Sequence, residues 1–372
     1  MAITGAVIIQ LGSYFLAQEH FTVFRHVAHP VVSRFLDVSV TLTLFAIGFV
    51  MFAGAGSTLE QQYGFPAWAG AGLMTLIVMA TGLLDVDKVS AVISGVTPLA
   101  IVAVVGAFAY TMFHLPPDLS ALDAAAVQTV PPVSPWWLSA LNYAGLSLLL
   151  GVSMCLVIGG NYPNLRQAGR GGIAGGVLYT VLLLLSALAL YLNVEQVGGA
   201  DIPMLALMAS IHPVLGHAMV VIIFAMIYNT AIGMFYALGR RLTANRPGGY
   251  RRVFLIACLA GYGVSFVGFD ALMNSVYPAI GYIGMFMAVA LVVAWVRRRA
   301  TIAREAGRRL QLRDLLARRG RDTGEAEVGE VAQESNIEDE EIVEALRRDV
   351  AREKGEDAES DEREPGEADR SR

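Results

Sequence analysis

Nine stretches of apolar residues, separated by short polar gaps, follow one another along the first 296 residues. A helix needs roughly 20 residues to cross a bilayer, and most of the stretches are near that length. None of them alternates apolar and polar residues as a membrane β-strand does, so the pattern predicts helical spans. The predicted spans are 2–17, 36–56, 67–84, 89–113, 138–159, 172–193, 214–238, 253–269 and 273–296.

Positive charges lie in alternate gaps between these stretches. All ten Lys and Arg residues before residue 297 fall in four gaps, at Arg25, Arg34, Lys88, Arg166, Arg170, Arg240, Arg241, Arg246, Arg251 and Arg252. The gaps around 57–66, 114–136, 194–213 and 269–271 contain none. Because cationic loops stay cytoplasmic, the pattern predicts a multi-pass protein of the plasma (bacterial inner) membrane that starts outside and ends in the cytoplasm.

Composition agrees with a membrane protein, since 55% of the residues are hydrophobic and the mean hydropathy is +0.55. Cys155 and Cys258 both fall within predicted spans, so no disulfide framework is indicated. The sequence has no metal-spaced Cys/His cluster and no hydrolase motif. We therefore expect no enzyme activity, no catalytic residues, no resident metal, no cofactor and no nucleic-acid partner.

Polar residues and helix breakers interrupt four of the apolar spans. They are Gly95 and Pro98 in the fourth span, Asn142-Tyr143-Ala144-Gly145-Leu146-Ser147 in the fifth, Tyr228-Asn229-Thr230 in the seventh, and Pro278 with Gly281 in the ninth. Broken helices at membrane depth line cavities, and in transporters they mark substrate and ion sites. The alternative interpretation is helix packing, which also uses Ser, Thr, Asn and Gly. Packing is the expected role of two overlapping small-residue pairs, formed by Gly171, Gly172, Gly175 and Gly176.

Ionisable residues are scarce within the spans. Glu19, Asp37, Glu60 and Asp270 all lie near predicted span ends. A proton-driven pump usually has a carboxylate or histidine deep in the bundle. A coupling ion bound by carbonyls, hydroxyls and amides would instead be a hard cation such as sodium.

Four segments resemble the YkvI family of bacterial membrane proteins. They are FVMFAGAGSTLEQQYG (49–64), LLDVDKVSAVISGVTPLAIV (83–102), PWWLSALNYAGLSLLLG (135–151) and SVYPAIGYIG (275–284). That family is similar to the amino acid-polyamine-organocation superfamily, whose LeuT-like core has ten helices in two inverted halves. The resemblance implies an all-α, LeuT-like bundle over roughly residues 1–298.

The resemblance also implies positions for the sites. The fifth span corresponds to a helix that holds substrate in such cores, which assigns Asn142, Tyr143 and Gly145 to substrate, with Ser147 beside them. The seventh span helps to hold an ion in sodium-coupled relatives, which assigns Asn229 and Thr230 to the ion. The family's opening helix, with its glycine-broken stretch, has no counterpart before residue 2, so a bundle of nine spans that lacks its first helix, or an inactive fragment, is expected.

The sequence changes character after the last predicted span. Residues 297–321 are rich in arginine with interleaved leucine, which predicts a basic juxtamembrane helix against anionic lipid headgroups. Residues 322–372 are acidic and poor in aromatic residues, which predicts a mostly disordered cytoplasmic tail. One helix is expected at 337–354, capped by Asn336.

Two functions follow from these features. The first is secondary transport of a small amino-acid-like or related solute, coupled to sodium. The second is a non-transporting scaffold or sensor in the membrane that acts through the cytoplasmic tail. Both share one domain organisation: a transmembrane bundle at 1–296, the basic helix at 297–321 and the tail at 322–372.

Overall fold

The chain forms helices throughout the part that the computed structural model describes. The described residues are 1–18, 20–27, 29–83, 96–116, 119–128, 131–244, 247–317, 325–337 and 339–354. The α-helices are α1 Ala2–Phe15, α2 His20–Val27, α3 Pro30–Tyr63, α4 Ala67–Gly82, α5 Val96–Phe113, α6 Leu119–Gln128, α7 Trp136–Gly160, α8 Leu165–Leu192, α9 Val194–Val197, α10 Pro203–Ile211, α11 Pro213–Leu242, α12 Tyr250–Ser265, α13 Phe269–Ala317, α14 Glu325–Gln333 and α15 Asp339–Lys354. A short 3₁₀ turn, Pro247–Gly249, precedes α12.

Six of the described helices are long and apolar enough to cross a membrane: α3, α5, α7, α8, α11 and α13. Three further predicted spans correspond to the shorter helices α1, α4 and α12, which have 14, 16 and 16 residues. The all-helical, multi-span prediction is therefore confirmed. The number of nine crossings and the LeuT-like arrangement stay predictions.

Two compact units are present, and several helices contribute to both. The first unit comprises Met1–Leu36, Leu148–Val177 and Phe286–Arg372, and the second comprises Asp37–Ser147 and Leu178–Met285.

The second unit is built around stacked aromatic side chains. Phe52 of α3 stacks on Phe235 of α11, with ring centroids 4.9 Å apart, and both rings are fully buried. Phe254 of α12 is also fully buried in this core. A methyl group at Gly82, the last residue of α4, would overlap the Phe254 ring, so glycine at this position allows α4 to lie close to α12.

The first unit packs α1 against the second half of α7 and the start of α8. A methyl group at Gly159 of α7 would overlap the backbone of Ile9, so the two helices approach at backbone distance. Gly172 and Gly176 of α8 lie in the same way against Ala6 and Ala2. One of the two predicted small-residue pairs therefore packs between helices. A methyl group at Gly171 or Gly175, the other pair, would meet no atom within 4 Å.

The region after the last predicted span differs from the expectation of a mostly disordered tail. The basic segment continues α13 as one helix to Ala317, and α14 and α15 follow in the acidic segment. Their apolar stripes are buried against Leu312 and Leu316 of α13, with Ile342 and Leu346 of α15 in the centre. This packing supplies the apolar contacts that a thinly amphipathic helix lacks when isolated. The expected disorder at 355–372 lies outside the described residues.

Candidate functional site

The structure brings the predicted residues of the fifth and ninth spans together, in the second unit. Asn142 of α7 is buried, and its Nδ2 donates a hydrogen bond to the carbonyl of Pro278 in α13 at 2.9 Å. A methyl group at Gly145 would overlap the carbonyl of Gly281, and one at Gly284 would overlap that of Gly145. The two helices therefore cross at backbone contact, and the glycines make this approach possible.

Both helices are continuous at this crossing. The sequence predicts interruptions at Asn142–Ser147 and around Pro278, yet α7 runs from Trp136 to Gly160 and α13 passes through Pro278. The Asn142 side-chain amide donates its hydrogen bond to the neighbouring helix, so it does not compete for the backbone hydrogen bonds of α7. Asn142 and Gly145 accordingly hold two helices together.

Next to the crossing lies a cluster of hydroxyl groups that we call the hydroxyl cluster: Tyr143 and Ser147 of α7 and Tyr179 of α8. Ser147 Oγ lies 3.3 Å from the Tyr179 hydroxyl and donates to the carbonyl of Tyr143 at 3.0 Å. The Tyr143 side chain lies close to both hydroxyls and to Tyr277 of α13. Tyr143 and Tyr179 are 43% and 41% exposed. Tyr179 is the member that the sequence analysis missed.

Among the described residues, no hydrogen bond joins the residues assigned to an ion to this cluster. Asn229 is exposed on α11, and the Thr230 hydroxyl donates to the carbonyl of Met226 in its own helix at 3.0 Å. The helix is continuous from Pro213 to Leu242. The ion-binding role of Asn229 and Thr230 therefore stays a prediction.

The predicted break in the fourth span falls at the edge of the described chain. Pro98 is the third residue of α5 as described, and Gly95 lies outside the described residues. Lys88, which contributes to the charge pattern, also lies outside them.

A polar clamp that the sequence did not reveal lies at the end of α3. Ser57 is buried and donates to Oδ2 of Asp201 at 3.0 Å. Gln61 pairs with the backbone of Ile202 through both amide atoms, at 3.0 and 2.9 Å. These bonds fix the start of α10 against α3.

A buried ion pair lies in the first unit, beyond the predicted membrane region. Arg309 and Glu305 of α13 are 2% and 1% exposed, and Nε of Arg309 donates to Oε1 of Glu305 at 2.8 Å. The remaining guanidinium N–H groups donate to the carbonyls of Ser13, Tyr14 and Pro163 and to Oδ1 of Asn336, at 2.8–3.2 Å. All five donors of the guanidinium are thereby used.

The tail closes this arrangement, which we call the Arg309 clamp. Ser335 donates to Oε1 of Glu305 at 2.7 Å, and Asn336 Nδ2 donates to the Tyr14 carbonyl at 2.8 Å. Asn336 thus bonds to α1 and Arg309 rather than serving as the expected cap of α15. Cationic groups near a helix C-terminus are favourable, which explains why Arg309 lies at the end of α1.

Comparison with known proteins gives two relatives. The uncharacterized membrane protein YkvI of Bacillus subtilis is 26% identical over 278 residues, covering 72% of this chain and 76% of that protein. The uncharacterized protein YyaD of the same organism is 23% identical over 297 residues, covering 79% of this chain and 84% of that protein. No family model matches the chain. Together with the six apolar helices, the similarity to YkvI identifies the chain as a multi-pass membrane protein.

Proposed function

We propose that this protein is a secondary transporter of a small amino-acid-like solute, coupled to sodium, with its C-terminus in the cytoplasm. The observation that carries the proposal is the hydroxyl cluster at Tyr143, Ser147 and Tyr179. Polar groups within membrane helices are costly and tend to mark solute pathways. In this protein the three hydroxyl groups belong to α7 and α8, two long apolar helices, and they lie next to the point where α7 crosses α13.

We assign the predicted substrate residues to two roles. Asn142 and Gly145 hold α7 against α13, because the amide and the glycine are both engaged there. Tyr143 and Ser147, with Tyr179, present hydroxyl groups that both donate and accept hydrogen bonds. Such groups suit the carboxylate and ammonium ends of an amino acid and the oxygen preference of sodium.

The test is uptake into proteoliposomes that contain the full chain. Radiolabelled amino acids are offered with an inward sodium gradient, and again with choline replacing sodium. The proposal predicts accumulation of at least one amino acid that needs the sodium gradient and collapses with a sodium ionophore. Accumulation that is equal in choline would contradict sodium coupling, and absence of uptake for every amino acid would contradict the proposed solute class.

A membrane sensor that acts through its tail is the second candidate. The Arg309 clamp favours it, because α14 and α15 are held by buried polar bonds and an apolar core. Removing residues 325–372 distinguishes the two functions. A sensor would lose its cellular output with an intact bundle, whereas a transporter would retain sodium-driven uptake.

A further inference from the structure

A recess of about 640 Å³ lies in the first unit, between the start of α8 and the cytoplasmic extension of α13. Its cationic lining is provided by Arg166 and Arg170 of α8 and Arg313 of α13. None of the described residues that line the recess is acidic. Three guanidinium groups around one recess create a site for an anion.

Arg166 and Arg170 are the groups available to such an anion. They are four residues apart on α8, which places them on one side of the helix, and both are exposed. Within the described part of the chain, no carboxylate forms a salt bridge with either of them. Arg313 already pairs with Asp349 of α15 at 3.3 Å, so its charge is shared with the tail.

The anion chemistry follows from the donors. A guanidinium presents a planar fork of N–H groups that matches two oxygens of a phosphate. Asn164 already accepts the backbone N–H groups of Arg166 and Gln167 at 3.2 Å. The Asn164 side chain thus caps the start of α8, so the donors that remain for a ligand are the arginine side chains.

The surroundings indicate that the phosphate belongs to a lipid. In the most apolar 18-residue stretch of α8, only 6% is buried against the rest of the protein, so this helix presents most of its surface to lipid. A methyl group at Gly171 or Gly175 meets no atom within 4 Å, which leaves an open path along α8 from the recess into the predicted span.

We propose that this recess binds the phosphate headgroup of an anionic phospholipid, with one acyl chain lying along Gly171 and Gly175. Arg166 and Arg170 bind the phosphate oxygens, and Arg313 adds positive charge from the opposite side. Basic recesses between helices at a membrane surface suit such headgroups. This assignment is independent of the transported solute, because none of the hydroxyl cluster residues line the recess.

Native mass spectrometry of the full chain in detergent, titrated with phosphatidylglycerol or phosphatidylcholine, tests the proposal. We expect tighter binding of phosphatidylglycerol, and a loss of about tenfold or more in that affinity in the double variant Arg166→Gln/Arg170→Gln. The matched control is Arg251→Gln/Arg252→Gln, which removes two exposed arginines of α12 outside the recess. An equal loss in the control, or no loss in the recess variant, would overturn the site.

A second variant keeps the charges and fills the recess. A Cβ atom at Gly171 would meet no atom within 4 Å, so Gly171→Leu places its side chain in the recess and should weaken phosphatidylglycerol binding severalfold, without changing any arginine. Unchanged binding in this variant would contradict the acyl path. Inorganic phosphate and glycerol 3-phosphate are added as competitors, to test whether the recess binds a soluble phosphate instead of a lipid. Displacement of the lipid by either at equal concentration would overturn the lipid assignment.

Discussion

Replacement of Arg309 by methionine should release α14 and α15 from the rest of the first unit. The substitution removes five hydrogen bonds, of which one is to the buried carboxylate of Glu305 and one to Asn336 of the tail. Breaking a buried ion pair by removing one partner costs about 3–5 kcal/mol, because the other charge is left in a nonpolar environment. Oε2 of Glu305 has no hydrogen-bond partner among the described residues, so this carboxylate depends strongly on Arg309.

Hydrogen exchange measures this loss locally. Since about 1.4 kcal/mol corresponds to a factor of ten, amides of α15 near Ile342 and Leu346 should exchange roughly a hundred- to several thousand-fold faster in Arg309→Met. The matched control is Arg348→Met, which breaks an exposed pair with Glu344 that is worth about 0.3–0.5 kcal/mol. Exchange in α15 that is no faster in Arg309→Met than in this control would refute the clamp.

The double variant Glu305→Leu/Arg309→Met separates the effect of the ion pair from that of the hydrogen bonds between Arg309 and the backbone carbonyls. It removes the buried carboxylate together with the guanidinium, so it should be less destabilised than the sum of the two single variants. Additive losses would show that the two side chains act independently, which contradicts the ion pair as the centre of the clamp.

Two predictions concern the crossing of α7 and α13. Gly145→Ala should destabilise the protein by about 1–3 kcal/mol in thermal unfolding in detergent, because the methyl group overlaps the Gly281 carbonyl. The control Gly106→Ala has open space and should be neutral or stabilising, so equal melting temperatures for the two variants would refute the close approach. Asn142→Leu should lose about 0.6 kcal/mol, at most about 1.7, with the bond to Pro278 and should leave the KM of uptake unchanged. A raised KM at full stability would make Asn142 a solute ligand instead.

The crossing was accessible from sequence because polar and small residues are conspicuous in apolar spans. Asn142, Gly145, Pro278 and Gly281 each stood out, and the structure brings all four together. What the pattern could not give was their role. A polar residue that hydrogen-bonds to a neighbouring helix and a polar residue that interrupts its own helix look the same in the sequence.

Two other features depended on tertiary contacts that local patterns do not encode. Tyr179 is one of four hydroxyl-bearing residues in the leucine-rich helix α8, and only its contact with Ser147 of α7 distinguishes it from the others. Glu305 and Arg309 have the spacing of any exposed helical pair, yet they are buried because α1 and the tail cover them. The apolar stripe of the helix at 337–354 was predicted, whereas the partner that buries it was not.

We propose that the hydroxyl cluster holds the transported solute, and sodium-driven uptake by two matched variants is the measurement that tests this proposal. Tyr143→Phe removes a hydroxyl of the cluster, while Tyr282→Phe makes the same change at an exposed position of α13 with no hydrogen bond among the described residues. We predict that Tyr143→Phe lowers Vmax/KM by about tenfold, since a bond to a charged solute is lost, and that Tyr282→Phe transports like the unaltered protein. Equal uptake by both variants, at equal amounts of folded protein, would contradict the claim.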